Sequence, residues 1–551
     1  MHHTILLFLA LLLTVCLLII LSQRLRVPYP ILLVLGGLGI SLLPGLPVVK
    51  INPDIIFLVF LPPLLYEAAW FTSWKDFWKW RRLISFLAFG LVLLTSGFVA
   101  VVSAAVIPGF TLALGFLLGG IVSPPDAVAA SSVMRTMAVP RRLLAILEGE
   151  SLVNDASSLI VLRFALATVL SGTFVWHQAA VSFVVVTGLG IAIGLGIGLV
   201  FYALHRWVPM SPSIHTVLTL ATPYLMYVLA EAGHGSGVLA VVSGGLFLSY
   251  HSSRLFSPAN RRQGLSTWTT VGFVLNGAVF MLIGLQLPVI INELGDYSKA
   301  QAIGYGLLVA GVVVTTRLVF ALLASPFSTW MSRFITVSDA APGWRLPLVA
   351  GYAGMRGVVS LAAALSIPLL ANDGQPFPQR NLLLFITFVV ILVTLVGQGL
   401  TLPLLIRWVG VDDHDHHLSE HEQRLSARHQ LATTALRYLQ AQPPQLGPPN
   451  GLLMSLQSTL ENELNLTAHQ LNWQDNALLA SEVVEYRRIY TGLLDAQRQV
   501  LRHLRSREEY DEEVIRQLEA QLDVAAEKLD IFMADQHREV SSNVISSTLD
   551  A

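Results

Sequence analysis

Residues 147–170 read LEGESLVNDASSLIVLRFALATVL and contain the feature on which the fold depends. The second half of this stretch is an apolar run of the kind that fills the interior of a lipid bilayer. The first half carries Glu148, Glu150, Asn154 and Asp155 on the leading turns of the same predicted helix. Because an unpaired charge at membrane depth costs several kcal/mol, such side chains need partners or a function.

The composition of the whole chain is that of an integral membrane protein. The 551 residues are 54% hydrophobic and 13% charged, with a mean hydropathy of +0.64, whereas a soluble domain has about 25% charged residues. The net charge of −1 argues against nucleic acid as a partner, and the single cysteine, Cys16, excludes an intrachain disulfide. Arg24 and Arg26 follow the first apolar run instead of preceding it, which favours an uncleaved first span over a secretory signal.

The apolar runs predict an all-α polytopic membrane protein with about 13 transmembrane helices, since a hydrocarbon core of about 30 Å requires about 20 apolar residues per helix. The predicted spans lie near residues 4–22, 28–47, 54–71, 84–107, 110–135, 143–170, 178–204, 213–231, 235–250, 268–291, 301–325, 346–370 and 381–408. We therefore expect a transmembrane transporter domain over residues 1–410 and a polar cytoplasmic domain over residues 411–551.

The positively charged residues indicate how the spans are oriented. The odd-numbered connections carry fifteen Lys or Arg residues and the even-numbered ones carry three. Because cytoplasmic loops are enriched in Lys and Arg, the odd-numbered connections are predicted to be cytoplasmic. The N-terminus is then outside, the C-terminal tail is cytoplasmic, and we expect the protein in the plasma (inner) membrane.

Two predicted spans contain helix-breaking residues. The fifth reads LLGGIVSPPDAVAASSV around Asp126, and the twelfth reads VAGYAGMRGVVSLAAALS around Arg356. Proline removes a backbone donor and glycine lowers the cost of leaving a helix, so both spans are candidates for broken helices that line a cavity. They lie seven spans apart and cross in opposite directions, as inverted repeats that meet at the midplane would. The alternative is ordinary proline kinks and packing glycines.

The polar residues of the sixth span are predicted to form one patch. Helical spacing places Glu150 beside Asn154 and Ser151 beside Asp155. Their oxygen ligands suit Na⁺, K⁺ or Li⁺. The spans contain no transition-metal ligand pattern and no nucleophile–base motif, so we expect neither enzyme activity nor a cofactor. Glu148 lies nearer the cytoplasmic end and is interpreted as a solvated helix terminus.

A carboxylate held away from water can be neutralised by a proton or by a monovalent cation, and these two options exclude each other. That exclusivity predicts an exchange mechanism. With Asn154 beside Asp155, only one carboxylate of the pair needs neutralising, which predicts one-for-one, electroneutral exchange. Two alternatives remain: a gated cation channel, disfavoured because no selectivity-filter motif occurs, and an organic-anion symporter, disfavoured by the acidic cluster.

Three arginines fall inside predicted spans. Arg356 stays protonated and needs an anionic partner, for which we expect Glu150, with Glu67 as the second choice. This ion pair would be structural and would anchor the twelfth span to the sixth. Arg163 and Arg317 are assigned no function, since packing or snorkelling explains them equally well.

Four stretches match, in order along the chain, the motifs of one known family. They are FLPPLLYEAAW in the third span, LEGESLVNDA in the sixth, GMRGVVSLAAALSIP in the twelfth and GQGLTL in the last. On these motifs the chain resembles the monovalent cation:proton antiporter-1 family, the sodium/proton exchangers of NhaP/NHE type, up to about residue 410.

The resemblance implies a homodimer with a dimerisation bundle and a mobile six-helix core that moves like an elevator. It implies that Asp155 carries the cation and the proton, assisted by Asn154 and Ser151. It also implies that Asp126 completes the site at the helix crossing, so that the monovalent cation contacts Asp155 and Asp126.

The resemblance further implies that Glu67 is a nearby polar group and that Glu150 and Arg356 form a structural ion pair. One position departs from the family pattern. The family usually has Thr-Asp-Pro in the fifth span, whereas this chain reads Pro125-Asp126-Ala127. Any ligand from position 125 is therefore a backbone carbonyl, and the family pattern leaves the preference between Na⁺ and K⁺ open.

The tail is predicted to form a small helical domain that dimerises or regulates transport, with helices over 418–441, 453–474, 477–506 and 509–535. The segment before it is either a solvated linker or a site that senses pH or binds metal. That segment contains Asp412, Asp413, His414, Asp415, His416 and His417.

Overall fold

The computed structural model describes residues 2–43, 56–135, 137, 139–173, 176–292, 294, 297–331, 343–371, 374–411, 420–441, 451–472, 476–505, 514–515 and 517–529. Over these residues the regular structure is helical, apart from one isolated bridge between Leu370 and Pro376. The segment 412–417, for which sensing or metal binding was considered, lies outside the described residues.

Helices occupy the regions of all thirteen predicted spans. In chain order they are α1 (His2–Leu25), α2 (Tyr29–Ser41), α3 (Leu61–Phe71), α4 (Trp74–Ser85), α5 (Val92–Val106), α6 (Leu112–Val122), α7 (Ala127–Met134), α8 (Arg141–Ser171), α9 (Trp176–Trp207), α10 (Pro212–Ala232), α11 (Gly237–Leu255), α12 (Pro258–Leu285), α13 (Leu287–Asn292), α14 (Lys299–Met331), α15 (Arg345–Tyr352), α16 (Val358–Leu365), α17 (Arg380–Leu392) and α18 (Gly399–Val409). Among the described residues, eight helical segments are long and apolar enough to cross a membrane, and three shorter apolar helices accompany them. The prediction of an all-α polytopic membrane protein is confirmed.

The chain divides into two compact units, Met1–Asp413 and His414–Ala551. The second unit contains α19 (Glu420–Gln440), α20 (Gly451–Asn472), α21 (Asn476–Arg505) and a further helix over 517–529. Within it α19 packs against α20.

The fifth predicted span is broken where the sequence indicated. Helix α6 ends at Val122, and Pro124 and Pro125 cannot donate the backbone hydrogen bonds that would continue it. Asp126 then starts α7, since its Oδ1 accepts hydrogen bonds from the N–H groups of Val128 (2.8 Å) and Ala129 (3.4 Å). The fifth span is thus two short helices and not one kinked helix.

The twelfth predicted span is broken in the same way, and the two breaks meet. Residues 353–357 separate α15 from α16. The N–H of Asp126 donates to the carbonyl of Met355 (2.6 Å). Gly357 lies directly against the Asp126 carboxylate, where an added Cβ would collide with Oδ2. The interpretation as two broken helices that cross at their breaks is confirmed.

Small residues hold the first broken helix tightly in place. A Cβ at Gly115 would lie 2.6 Å from Cα of Ala100, and a Cβ at Gly119 would lie 2.6 Å from Cα of Ser96. On another side, a Cβ at Gly120 would lie 3.0 Å from the backbone nitrogen of Leu162. Helix α6 is therefore packed between α5 and α8 at backbone distance, as small residues allow in membranes. This packing brings the break beside the polar turns of α8.

Candidate functional site

A cavity of about 590 Å³ lies beside the crossing of the two broken helices. It brings together four residues that the sequence singled out: Asp155, Asp126, Ser151 and Glu67. Asp155 is 7% exposed, whereas the Arg135 side chain, which also lines the cavity, is 69% exposed. The cavity thus connects a buried carboxylate to the end of α7 that faces solvent.

Ser151 fastens the polar turns of α8 to the break in the fifth span. Its hydroxyl donates to the carbonyl of Pro125 (3.4 Å) and accepts from the N–H of Ala127 (3.3 Å). Asp155 lies one helical turn further along the same face. As the departure from the family pattern required, position 125 offers a backbone carbonyl and no hydroxyl. That carbonyl is shared with Ser151.

Asp126 lines the same cavity from the break in the fifth span. Its carboxylate caps α7 and also interacts with the N–H of Val358 at the start of α16. The site therefore combines two carboxylates, one hydroxyl and one backbone carbonyl. These are oxygen ligands of the kind that hard cations prefer. The amide donors that converge on Asp126 hold it in position at the crossing.

Glu67 on α3 also lines the cavity. Its carboxylate lies against Gly272 of α12, where any side chain would overlap it. Glu148, nearer the mouth of the cavity, pairs with Arg135 (Oε1 to Nη2, 3.2 Å) and accepts from the hydroxyl of Ser131 (3.3 Å). The Glu148 side chain is 30% exposed, in accord with its interpretation as a solvated helix end.

Asn154 lies in a different environment from its neighbour Asp155. It is completely buried and does not line the cavity. Neither its Nδ2 nor its Oδ1 has a hydrogen-bond partner among the described residues. Consecutive residues of a helix point about 100° apart, so Asn154 and Asp155 point in different directions in this structure. Assistance of the ion by Asn154 remains a prediction.

The predicted ion pair between Glu150 and Arg356 is wrong. Glu150 pairs with Arg317 of α14, through Oε1 to Nη1 (2.5 Å) and Oε2 to Nη2 (3.0 Å). The two side chains are 1% and 3% exposed, respectively. Bidentate geometry is the strongest arrangement available to a guanidinium and a carboxylate. This ion pair therefore connects α14 to α8, the helix of the sixth predicted span. It does not connect the twelfth predicted span to the sixth.

Arg356 instead neutralises the end of the first broken helix. Its Nε donates to the carbonyl of Val122 (2.9 Å), its Nη2 to the carbonyl of Ser123 (3.3 Å), and its Nη1 to the carbonyl of Gly354. The last carbonyls of a helix have no partner within it and carry partial negative charge. Arg356 thus finds its anionic environment in backbone dipoles.

Arg163 has Glu231 as its ion-pair partner, a residue that no sequence pattern indicated. Oε2 of Glu231 pairs with Nη2 of Arg163 at 2.5 Å, and its Oε1 accepts the N–H of Gly237 (3.0 Å). The pair links α8 to α10 and is half exposed. Arg163 and Glu231 are 68 residues apart, and no local sequence signal connects them.

The sequence of the membrane unit matches the profile described as "Sodium/hydrogen exchanger, transmembrane" over residues 10–408. The chain belongs to this sodium/hydrogen exchanger family. The resemblance found from the four motifs is thereby confirmed, and the family is one of transporters.

Relatives of this exchanger-family chain cover both its membrane unit and most of its tail. It is 33% identical over 92% of its length to a Mycobacterium bovis protein named as an uncharacterized Na⁺/H⁺ exchanger, of which 92% is covered. It is 36% identical over 69% of its length to the sodium, potassium, lithium and rubidium/H⁺ antiporter of Bacillus subtilis, of which 58% is covered.

The fold of this exchanger is similar to that of a solved structure, the sodium proton antiporter MjNhaP1 from Methanocaldococcus jannaschii. The TM-score is 0.58 at 19% identity, covering 73% of this chain and 97% of that one.

Proposed function

We propose that this protein is a secondary active antiporter that exchanges a monovalent cation for a proton, one for one, by alternating access. The observation that carries the proposal is the position of Asp155: a buried carboxylate at a cavity, beside the crossing of two broken helices. Family membership and the relatives named as Na⁺/H⁺ exchangers or antiporters support exchange over a gated channel or an organic-anion symporter.

Competition for one carboxylate supplies the coupling. In one state Asp155 is neutralised by a proton, and in the other by a cation that also uses the oxygens of Asp126, Ser151 and Pro125. Each loaded state carries the same charge, so the step across the membrane does not work against the potential, which would cost about 2.3 kcal/mol per charge per 100 mV. The empty, ionised carboxylate is the form that cannot cross.

The cavity in this structure corresponds to one of the two access states. Its mouth contains Arg135, in a connection that the distribution of Lys and Arg assigns to the cytoplasm. We propose that this is the inward-facing state of a plasma-membrane protein that contributes to pH and cation homeostasis. The homodimer and the elevator-like movement implied by the resemblance belong to the same proposal.

Na⁺ is proposed as the physiological cation, with K⁺ and Li⁺ as the other candidates. The B. subtilis relative is named for all three and for rubidium, so a single cation cannot be assumed.

The purified protein in liposomes tests the proposal. With a pH gradient imposed, addition of Na⁺, K⁺ or Li⁺ in turn should dissipate the gradient without a membrane potential. Asp155→Asn should abolish this activity. Persistent exchange in that variant would overturn the assignment of Asp155, and currents without coupled proton movement would favour a channel.

A further inference from the structure

A second cavity, of about 280 Å³, lies apart from the ion site and shares no lining residue with it. It is formed by the start of α12, the beginning of α10, the end of α11 and Trp70 of α3. The cavity lies in the region of the connections that the distribution of Lys and Arg assigns to the cytoplasm. It is therefore predicted to lie at the level of the lipid headgroups of the inner leaflet.

The two charged residues among the described lining of this cavity are both positive. Asn260, Arg261 and Arg262 lie in the first turns of α12 and line it together. Neither Arg261 nor Arg262 forms an ion pair with a described residue, and none of the described lining residues is acidic. The positive end of the α12 dipole adds to the same field. A cation is disfavoured here and an anion is favoured.

His215 adds a buried polar group to the cavity. It is 6% exposed, and its Nδ1 lies 2.8 Å from Nδ1 of His205. One of these two nitrogens must donate a hydrogen to the other. The Nε2 of His205 is buried and has no hydrogen-bond partner among the described residues, and an unpaired lone pair is tolerated better there than an unpaired N–H. His205 is therefore the donor, which leaves His215 with its hydrogen on Nε2.

The Nε2–H of His215 has no partner among the described residues, and the His215 ring lines the cavity. The hydroxyls of the two threonines beside it, Thr216 and Thr219, are already engaged. Thr219 accepts from Nε1 of Trp268 (3.2 Å) and donates to the carbonyl of Thr216 (2.7 Å). The donors available to a ligand are thus the ring N–H and two solvent-exposed guanidinium groups, which together match the acceptor oxygens of a phosphate.

We propose that this cavity binds a phosphate group, supplied by an anionic phospholipid headgroup or by free phosphate. Its volume is slightly below the range of about 300–1,000 Å³ that is typical of drug-sized ligands, which fits a headgroup better than a whole lipid. Leu265 lies at the cavity and is 51% exposed, so an acyl chain has apolar surface beside the site. Basic pockets between transmembrane helices on the cytoplasmic side bind lipid headgroups by this chemistry.

The test is calorimetric titration of the full-length protein in neutral detergent with three probes: short-chain phosphatidylglycerol, short-chain phosphatidylcholine, and inorganic phosphate against chloride at equal ionic strength. We expect phosphatidylglycerol to bind more tightly than phosphatidylcholine. Binding of phosphatidylglycerol alone identifies the lipid as the source. Binding of inorganic phosphate with the same sensitivity to mutation identifies the phosphate group as sufficient. Either result supports the proposal, and binding of neither overturns it.

Matched variants separate this site from general surface charge. Arg261→Gln with Arg262→Gln should weaken binding about thirtyfold, from about fivefold per basic residue near a membrane surface. Arg206→Gln with Arg254→Gln removes the same charge from the same predicted side without touching the cavity, and should bind as the unmodified protein does. Equal loss in both double variants would overturn the proposal.

A further variant guards against a folding artefact. His215→Phe keeps a ring of similar shape and removes the Nε2 donor, together with the Nδ1 acceptor of the His205 hydrogen bond. It should weaken binding severalfold while the protein elutes as a single species in size-exclusion chromatography. Unchanged binding in this variant would contradict the place given to His215 in the site.

Discussion

The buried pair of Glu150 and Arg317 makes the sharpest prediction about stability. Glu150→Gln leaves the Arg317 guanidinium buried without its bidentate partner, and Arg317→Met leaves the Glu150 carboxylate in the same position. Because both side chains are at most 3% exposed, each single change should cost about 3–5 kcal/mol. We therefore expect a strong loss of folded yield from either substitution alone.

A double-mutant cycle turns this into a test of the partner. Glu150→Gln with Arg317→Met removes both charges, so it should cost less than either single change, giving a coupling energy of at least about 3 kcal/mol. The cycle of Glu150→Gln with Arg356→Met should give a coupling below about 1 kcal/mol, since Arg356 donates to backbone carbonyls.

The assay for both cycles is the thermal stability and monodispersity of each detergent-solubilised variant, measured by fluorescence-detected size-exclusion chromatography. A larger coupling of Glu150 to Arg356 than to Arg317 would refute the assignment of the ion pair.

Three further substitutions test the geometry of the ion site. Gly357→Ala places a Cβ against the carboxylate at the helix crossing and should abolish exchange in liposomes, whereas Gly397→Ala, which enters open space, should not. Ser151→Ala removes two hydrogen bonds worth about 1 kcal/mol each and should weaken the apparent cation affinity by up to about thirtyfold. Ser132→Ala, in the same cavity but bonded only within its own helix, should leave it unchanged. Asn154→Asp adds a buried carboxylate and should make the exchange rate depend on the membrane potential. If exchange by this variant were as independent of the potential as exchange by the unmodified protein, electroneutral coupling through Asp155 would be contradicted.

The broken helices could be predicted from the sequence because their causes are local. Pro124 and Pro125 remove backbone donors in the middle of an apolar span, and Asp126 is a good N-cap for the helix that follows. The grouping of Ser151 with Asp155 was equally accessible, since it follows from the helical repeat.

The partners of the buried charges could not be predicted in the same way. Glu150 and Arg317 are 167 residues apart, and the sequence places three arginines inside predicted spans as possible partners. The deciding fact is that α6 ends beside Arg356 and presents free carbonyls at Val122 and Ser123. The Pro-Pro break does signal such carbonyls in the sequence, but the position of a distant arginine beside them emerges only from the packed structure.

Proton release on cation binding tests the central claim most directly. The full-length protein in lightly buffered detergent solution is titrated with Na⁺, K⁺ or Li⁺ while the released protons are measured with a pH dye. Exclusive occupation of Asp155 predicts about one proton released per cation bound, at a pH where the empty site is protonated, and no release from Asp155→Asn. Cation binding without proton release, or release that persists in that variant, would contradict the account.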